Sequence, residues 1–416
     1  MRALLIALGL SAGSAAWAAD GASGELRLRW DARGSNTAGP MAAANALAPG
    51  LAPATPGSAV ADAGLRGTWH APTTRLSASA DVLLASEHPE GGPTRSRARA
   101  NELYGSADLG AWQLSAGKKI VGWDVGYGFR PNDIVQQEER RTLLALTPEG
   151  RPLLQVEHFG SDSAAALVWV NPQHAAESDD AQRGAHEAAL AARGYRRHGG
   201  LDLHGFGRWG QHTGASVGAA LAWVATDELE LHASVRALQR HDGWTIDPSA
   251  GNGPVPANPW RQATLGGTSQ WLLGASWTGA AQQSLLVEWW HDGTALTDAA
   301  WADWAARNQA LAALQGPPPI AVAGNLAWQA TPLAAGSLRR DNLFVRAAWQ
   351  PDHWLLSLDA LVTPRDGGRI VTAALQWQGD RIRLNAALRF YGGPGDALFA
   401  QLPQRRVGLV AASWAF

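Results

Sequence analysis

Hydrophobic and polar residues alternate with a period of two along most of this chain. In "GELRLRWD" (24–31), Leu26, Leu28 and Trp30 fall on one side of an extended ribbon, and Glu25, Arg27, Arg29 and Asp31 on the other. Successive side chains of a strand point to opposite faces, so the pattern predicts a strand with one apolar and one charged face. The clearest copy sets Leu229, Leu231, Ala233, Val235 and Ala237 against Glu230, His232, Ser234 and Arg236. Leu343, Val345, Ala347 and Trp349 likewise oppose Asn342, Phe344 and Arg346. Ile382, Leu384, Ala386, Leu388 and Phe390 oppose Arg381, Arg383, Asn385 and Arg389.

Two features set these segments apart from the strands of a soluble sandwich. They run to about 9–11 residues, the length that crosses a bilayer at a tilt, where ordinary strands run about 5–6. Their apolar faces also end repeatedly in tryptophan, at Trp30, Trp209, Trp277, Trp289, Trp349, Trp354, Trp377 and Trp414. Such rings suit the boundary between lipid and water, where membrane barrels carry aromatic girdles. The fold class expected is all-β, a transmembrane antiparallel up-and-down β-barrel.

Strand-like segments occupy 24–31, 65–71, 75–86, 100–109, 111–119, 151–159, 163–170, 200–209, 215–224, 229–240, 263–277, 284–291, 340–349, 354–363, 369–378, 381–391 and 405–416. Their total is odd, whereas such barrels close with an even number. Either a strand lies hidden within 140–147 or 173–199, or one is split around 200–224, which makes 16 or 18 strands. Short connections (71–75, 225–228, 278–284, 350–353, 378–380) and long ones (32–63, 171–199, 241–262, 291–337, 391–404) are both present. That predicts short periplasmic turns at one end and long extracellular loops at the other. Two of the long loops read as helical, over 179–197 and 297–314, the second with Thr297-Asp298 as its N-cap.

The first residues change where the chain is expected to go. "MRALLIALGLSAGSAAWAAD" has a basic Arg2, an apolar run from Leu4 to Leu10 and an A-x-A pattern ending at Ala18. These are the parts of a secretory signal, and the apolar run is too short to span a bilayer as a helix. Residues 1–19 are expected to be removed as a signal peptide, leaving 20–416 as a single barrel domain. No later stretch of 18 apolar residues offers a helical span. The chain has no cysteine, hence no disulfide framework, and its net charge of −2 argues against a nucleic-acid partner.

At the far end stands "RRVGLVAASWAF", with Phe416, Trp414, Ala412, Val410 and Gly408 on one face. In hydrocarbon every backbone N–H and C=O has to be paired within the protein, so a last strand must close on the first. This stretch, ending in "SWAF", resembles the terminal strand by which Gram-negative outer-membrane proteins are recognised by their assembly machinery. In architecture the whole mature chain resembles the porin-like barrels. The resemblance implies residence in the outer membrane of a Gram-negative bacterium. It also implies outer-membrane lipid and the barrel assembly machinery as partners, with a monomer and a homo-oligomer both open.

One segment breaks the alternation: "AGKKIVGWDVGYGFRPNDIVQQEERR" (116–141), with Gly122, Gly126, Gly128 and Pro131 among dense charges and amides. Glycine admits unusual backbone and close approach, and proline denies a ladder hydrogen bond. Gly117, Lys118, Trp123, Gly128, Pro131 and Asp133 look like the Gly-(Lys/Arg)…Trp…Gly…Pro-x-Asp stretch of porin-like families. The resemblance implies a loop near 117–141 that folds inward and constricts the pore. Its candidate pore-lining charges are Lys118, Lys119, Asp124, Arg130, Asp133, Glu138, Glu139, Arg140 and Arg141. An ordinary extracellular loop with mutually paired charges is the alternative.

The polar strand faces add Arg236, Arg346, Arg381, Arg383 and Arg389 to the candidate lumen charges, with Asp81, Glu230, Glu288 and Asp359 among the acids. Lumen charges tune which ions pass, and mutual ion pairs that stiffen the wall are the competing role. "GASVG" (214–218) matches G-x-S-x-G in form, but Ser216 opens an alternating strand and not the strand-turn-helix a nucleophile needs. No H-E-x-x-H or similar set of ligands appears, so no metal and no cofactor is expected. The function expected is a non-enzymatic channel for small hydrophilic solutes. The alternatives are an export barrel for a polymer or secreted product, working with periplasmic partners, and an outer-membrane lipid hydrolase.

Overall fold

The structure, a computed structural model, describes residues 21–53, 55–71, 75–136, 148–171 and 186–416. Among these, 18 strands join in one antiparallel sheet, the larger of the two expected numbers. In chain order they begin with β1 (Gly21–Ser35), β2 (Gly57–His70), β3 (Leu76–Pro89), β4 (Arg95–Asp108), β5 (Trp112–Lys119) and β6 (Arg151–Phe159). Next come β7 (Ser163–Val170), β8 (Ala189–His198), β9 (Leu201–Gly210), β10 (Gly214–Val224) and β11 (Leu229–Leu238). A separate hairpin of β12 (His241–Ile246) and β13 (Trp260–Leu265) precedes β14 (Thr268–Thr278) and β15 (Gln283–Asp292). The wall is completed by β16 (Asp341–Trp349), β17 (Trp354–Thr363), β18 (Gly368–Gln378), β19 (Ile382–Gly392) and β20 (Gln404–Ala415).

Closure is made by β1, which pairs with β2 on one side and β20 on the other. The Gly24 N–H donates to the Phe416 carbonyl at 2.8 Å, and the Phe416 N–H returns to the Gly24 carbonyl at 2.9 Å. Among the described residues no edge of the 18-strand sheet is left open to lipid, which is the condition hydrocarbon imposes. Outward positions carry the large apolar side chains: Trp209 is 61% exposed, Trp30 57% and Val217 65%. Seven of the eight tryptophans expected in the girdles are exposed, and Trp377 is half-buried. On the inward side of β20, Leu409, Ala411 and Ser413 are buried.

The strand that brings the number to 18 is β8, inside 173–199. It corrects the helix expected over 179–197, whose residues 179–185 lie outside the described residues. Its inward Ala189 and Ala191 are buried, Ala191 within an apolar cluster, so alternation is lost over the first residues of β8, and polar inward side chains begin only at Arg193. The segment 263–277 also divides, its first residues ending the hairpin and the rest forming β14. β1 and β2 extend to Ser35 and back to Gly57, which shortens the loop expected over 32–63.

Long connections gather at the end away from Gly24 and Phe416. There α1 (Pro40–Leu47), α2 (Asp298–Ala313) and α3 (Pro319–Trp328) lie within the loops. The Thr297 hydroxyl caps α2 as expected, accepting the Ala300 N–H at 3.1 Å. Trp260, Trp301, Trp304, Leu398 and Phe399 share one apolar cluster, and Ala44 of α1 meets Val322, Ala323 and Leu326 of α3 in another. The extracellular loops therefore have a packed core of their own.

Candidate functional site in the barrel interior

Beyond Lys119 the backbone leaves the sheet, and residues 120–136 form no strand. The stretch is first tied to itself. The Asp133 carboxylate accepts the Trp123 and Asp124 N–H groups at 2.8 and 3.2 Å, and Asp124 accepts the Asn132 N–H at 2.6 Å. Arg130 Nε donates to the Gly126 carbonyl at 2.8 Å. Two aspartates on either side of a glycine-rich bend thus satisfy backbone donors that a ladder would otherwise use.

It is then tied to the inner wall. Val121, Trp123, Ile134 and Val135 share a buried cluster with Leu153, Val168, Val170, Ala191, Phe206 and Ala220 of β6–β10. The Asn132 amide donates to Ser234 Oγ at 2.8 Å and to the Val235 carbonyl at 3.1 Å, while Ser234 Oγ donates to Asp124 at 2.7 Å. Opposite Asn132 stands Gly218, where an added Cβ would lie 1.9 Å from Asn132 Oδ1, so only glycine fits that approach.

The bend at 127–129 reaches β15. Glu288 Oε1 accepts the Tyr127 N–H at 2.8 Å and lies 3.0 Å from His232 Nε2, while Oε2 accepts the Gly128 N–H at 2.6 Å. Glu288 is 0% and His232 2% exposed. Phe129 stacks on Trp290 with ring centroids 5.6 Å apart and packs on Leu272. The stretch therefore bonds to inward-facing groups from β6 round to β15.

The charges expected in the lumen divide by role. Lys119 faces inward, 2.9 Å from Gln155 and 3.7 Å from Glu157, over the Tyr104 ring. Lys118 falls on the outward set with Trp112 and Leu114 and meets Glu149 at the rim, a correction that alternation alone required. Asp133 is buried and Asp124 half-buried among backbone donors, and the two hold the loop together. Arg130 borders the lumen space and pairs with Asp133 at 3.6 Å. Arg236 of β11 holds Ser216 Oγ at 3.0 and 3.2 Å and the Pro131 carbonyl at 3.1 Å.

On the far arc, Arg346 pairs with Asp359 at 3.5 Å, and Arg389 Nε donates to Thr372 Oγ1 at 2.8 Å. Arg383 alternates onto the same face as Arg389. Arg381 lies in the turn before β19, and its carbonyl accepts the Ala415 N–H. Glu138, Glu139, Arg140 and Arg141 lie outside the described residues. The Glu288–His232 anchor was read from sequence only as ordinary lumen polarity. Its one visible signal is an acid set among the apolar residues of "SLLVEWW".

Above the loop a space of about 400 Å³ is bordered by Arg130, Arg208, Arg236, Gln270 and Asp292. At the rim, Glu187 meets Arg208 at 2.7 Å and accepts the His212 and Thr213 N–H groups. Burial pushes the Glu187 carboxyl up, but the Arg208 charge and these hydrogen bonds outweigh it and hold the group below the ordinary glutamate range. Ser216, the formal G-x-S-x-G serine, has a guanidinium as its hydrogen-bond partner where a nucleophile would need a base. Among the described residues, no three His, Asp or Glu side chains are grouped to hold a metal.

No family model and no curated protein matches the chain. Solved structures similar to it include OccK11 (OpdR) of Pseudomonas aeruginosa, at 9% identity over 95% of each chain and a TM-score of 0.54. OccAB2 of Acinetobacter baumannii is 10% identical over 96% of this chain and 98% of its own, with a TM-score of 0.53. At such identity the likeness is one of fold. The fold is that of Gram-negative outer-membrane porins, a closed 18-strand antiparallel barrel, and its place is the outer membrane.

Proposed function

We propose that this barrel is a channel through which small hydrophilic solutes cross the outer membrane by diffusion. Barrels of 16–18 strands are wide enough to leave an aqueous path along the axis. The reading rests on one observation above all: residues 120–136 are bonded at both ends of their span to inward-facing groups. A segment so held narrows a passage to a fixed bore, with Lys119, Arg130 and Arg236 along it. The arc from β16 to β2 supplies the facing charges, Arg346, Arg383 and Arg389 among them. The protein carries no chemistry of its own in this role; selectivity comes from bore and lumen charge.

Purified protein added to a planar lipid bilayer should give discrete conductance steps of uniform size in potassium chloride. A correctly folded barrel that inserts and passes no current would overturn the proposal.

A further inference from the structure

Six adjacent strands, β17 through β20 and on to β1 and β2, present one continuous outward wall. Its outward positions are apolar or glycine throughout, with two exceptions, Arg369 of β18 and Arg406 of β20. Both stand at the extracellular ends of their strands. The pairing register puts Arg406 level with Phe390 and Gly34, and Arg369 level with Gly392. Two strand spacings and two residues of rise separate their Cα atoms by about 12 Å. Neither has a hydrogen bond or ion pair among the described residues, and the wall holds no carboxylate to supply one.

The seat of Arg406 is shaped for its side chain. A Cβ at Gly34 would lie 2.7 Å from Arg406 Cγ and 2.8 Å from Nε, so the stem lies across β1 where a side chain is missing. That keeps the guanidinium against the wall at headgroup depth, just above Phe390, which is 46% exposed. Two other outward charges at the same end of the barrel come with partners: Lys118 has Glu149, and His291 has Asp341 at 2.8 Å.

From this juxtaposition we infer that Arg369 and Arg406 form a binding site for a phosphorylated glycolipid of the outer leaflet. The missing counter-charge comes from the membrane itself. Guanidinium matches phosphate through paired N–H donors, and at the edge of hydrocarbon little water competes for them. A spacing of about 12 Å suits two separate phosphates on one headgroup better than one phosphate shared. A second copy of the chain fits poorly, because a two-fold contact through this wall would set four uncompensated cations together.

The test is native mass spectrometry of the detergent-folded full chain after incubation with lipid A. Bisphosphorylated, monophosphorylated and dephosphorylated forms are compared. One bisphosphorylated molecule should be retained per barrel, the monophosphorylated form less well and the dephosphorylated form least. R369Q/R406Q should weaken retention by about tenfold or more, R369K/R406K should weaken it less, and R196Q, an outward arginine near the periplasmic end, should leave it unchanged. Heat-modified mobility on gels certifies that each variant is folded. Equal retention by wild type and R369Q/R406Q would overturn the site, as would equal retention of the dephosphorylated lipid. A dimer joined through this wall would overturn it too.

Discussion

Two arcs of the inner wall are built from opposite materials. From β6 to β10 the inward side chains beneath residues 121–135 include Leu153, Val168, Val170, Ala191, Phe206 and Ala220, a dry patch with Gln155 and Glu157 of β6 and Arg208 of β9 beyond its edges. From β16 round to β2 they include Arg346, Asp359, Arg383, Arg389, Arg27 and Asp62, with ion pairs between neighbouring strands. The same sheet thus serves as a core wall on one side and a wet wall on the other. What decides is whether a loop covers the arc. An inward strand face can be apolar where a loop keeps water from it; where it is polar under the loop, as at Glu288 and His232, the loop supplies the hydrogen bonds.

The strongest way to break that contrast is to remove the cover. Replacing 121–135 by a short glycine-serine linker should raise single-channel conductance several-fold and lower the unfolding temperature, since Val168, Val170 and Phe206 would then face water. Unchanged conductance would mean that the segment does not set the bore. A smaller step is to cut one anchor. Glu288→Ala leaves two backbone donors and His232 without their acceptor, at a cost of about 3 kcal/mol in thermal unfolding, with noisier open-channel current. On the wet arc, Arg346→Gln breaks a half-exposed pair and should cost under about 1 kcal/mol. Equal costs at the two positions would erase the distinction between the arcs.

The contrast also explains what the sequence made legible. Along β11 and β19, charged and apolar positions alternate, and strand, facing and register can be read residue by residue. Along β7, "SAAALVWV" is apolar on both faces, and β8 begins "ALAA", so the period of two fades. Small residues and an arginine-rich end made 179–197 look helical, and the eighteenth strand went missing there. Lys118 and Lys119 both stand among the candidate lumen charges, although adjacent residues of one strand cannot share a face. The turning point at Gly117–Trp123 was visible as broken alternation. Its anchor at Glu288 was not, because 160 residues separate that acid from Gly128.

The smallest effect expected is at the rims, where the two arcs should behave alike. On the covered side Glu187 is clamped by Arg208, Thr213 and the His212 N–H. On the wet side Asp366, in the turn after β17, accepts Thr363 Oγ1 at 2.6 Å, the Gly368 and Leu398 N–H groups and Arg339 Nε at 3.0 Å. Burial pushes the Asp366 carboxyl up, but these bonds outweigh it and hold the group below its ordinary range, as at Glu187. A carboxyl depressed in the folded state stabilises fully above its unfolded value, about 4.3 for glutamate and 3.9 for aspartate. That contribution is lost as pH falls through the lower folded value. Both rims should therefore hold from neutrality to about pH 4 and loosen together below it. Amide exchange at His212 and Thr213 can be followed beside that at Gly368 and Leu398. Asp366→Asn should speed exchange at Gly368 and Leu398 at neutral pH, and the difference from wild type should vanish in acid. Loosening of only one rim on acidification would show that the arcs differ at their edges as well as in their interiors.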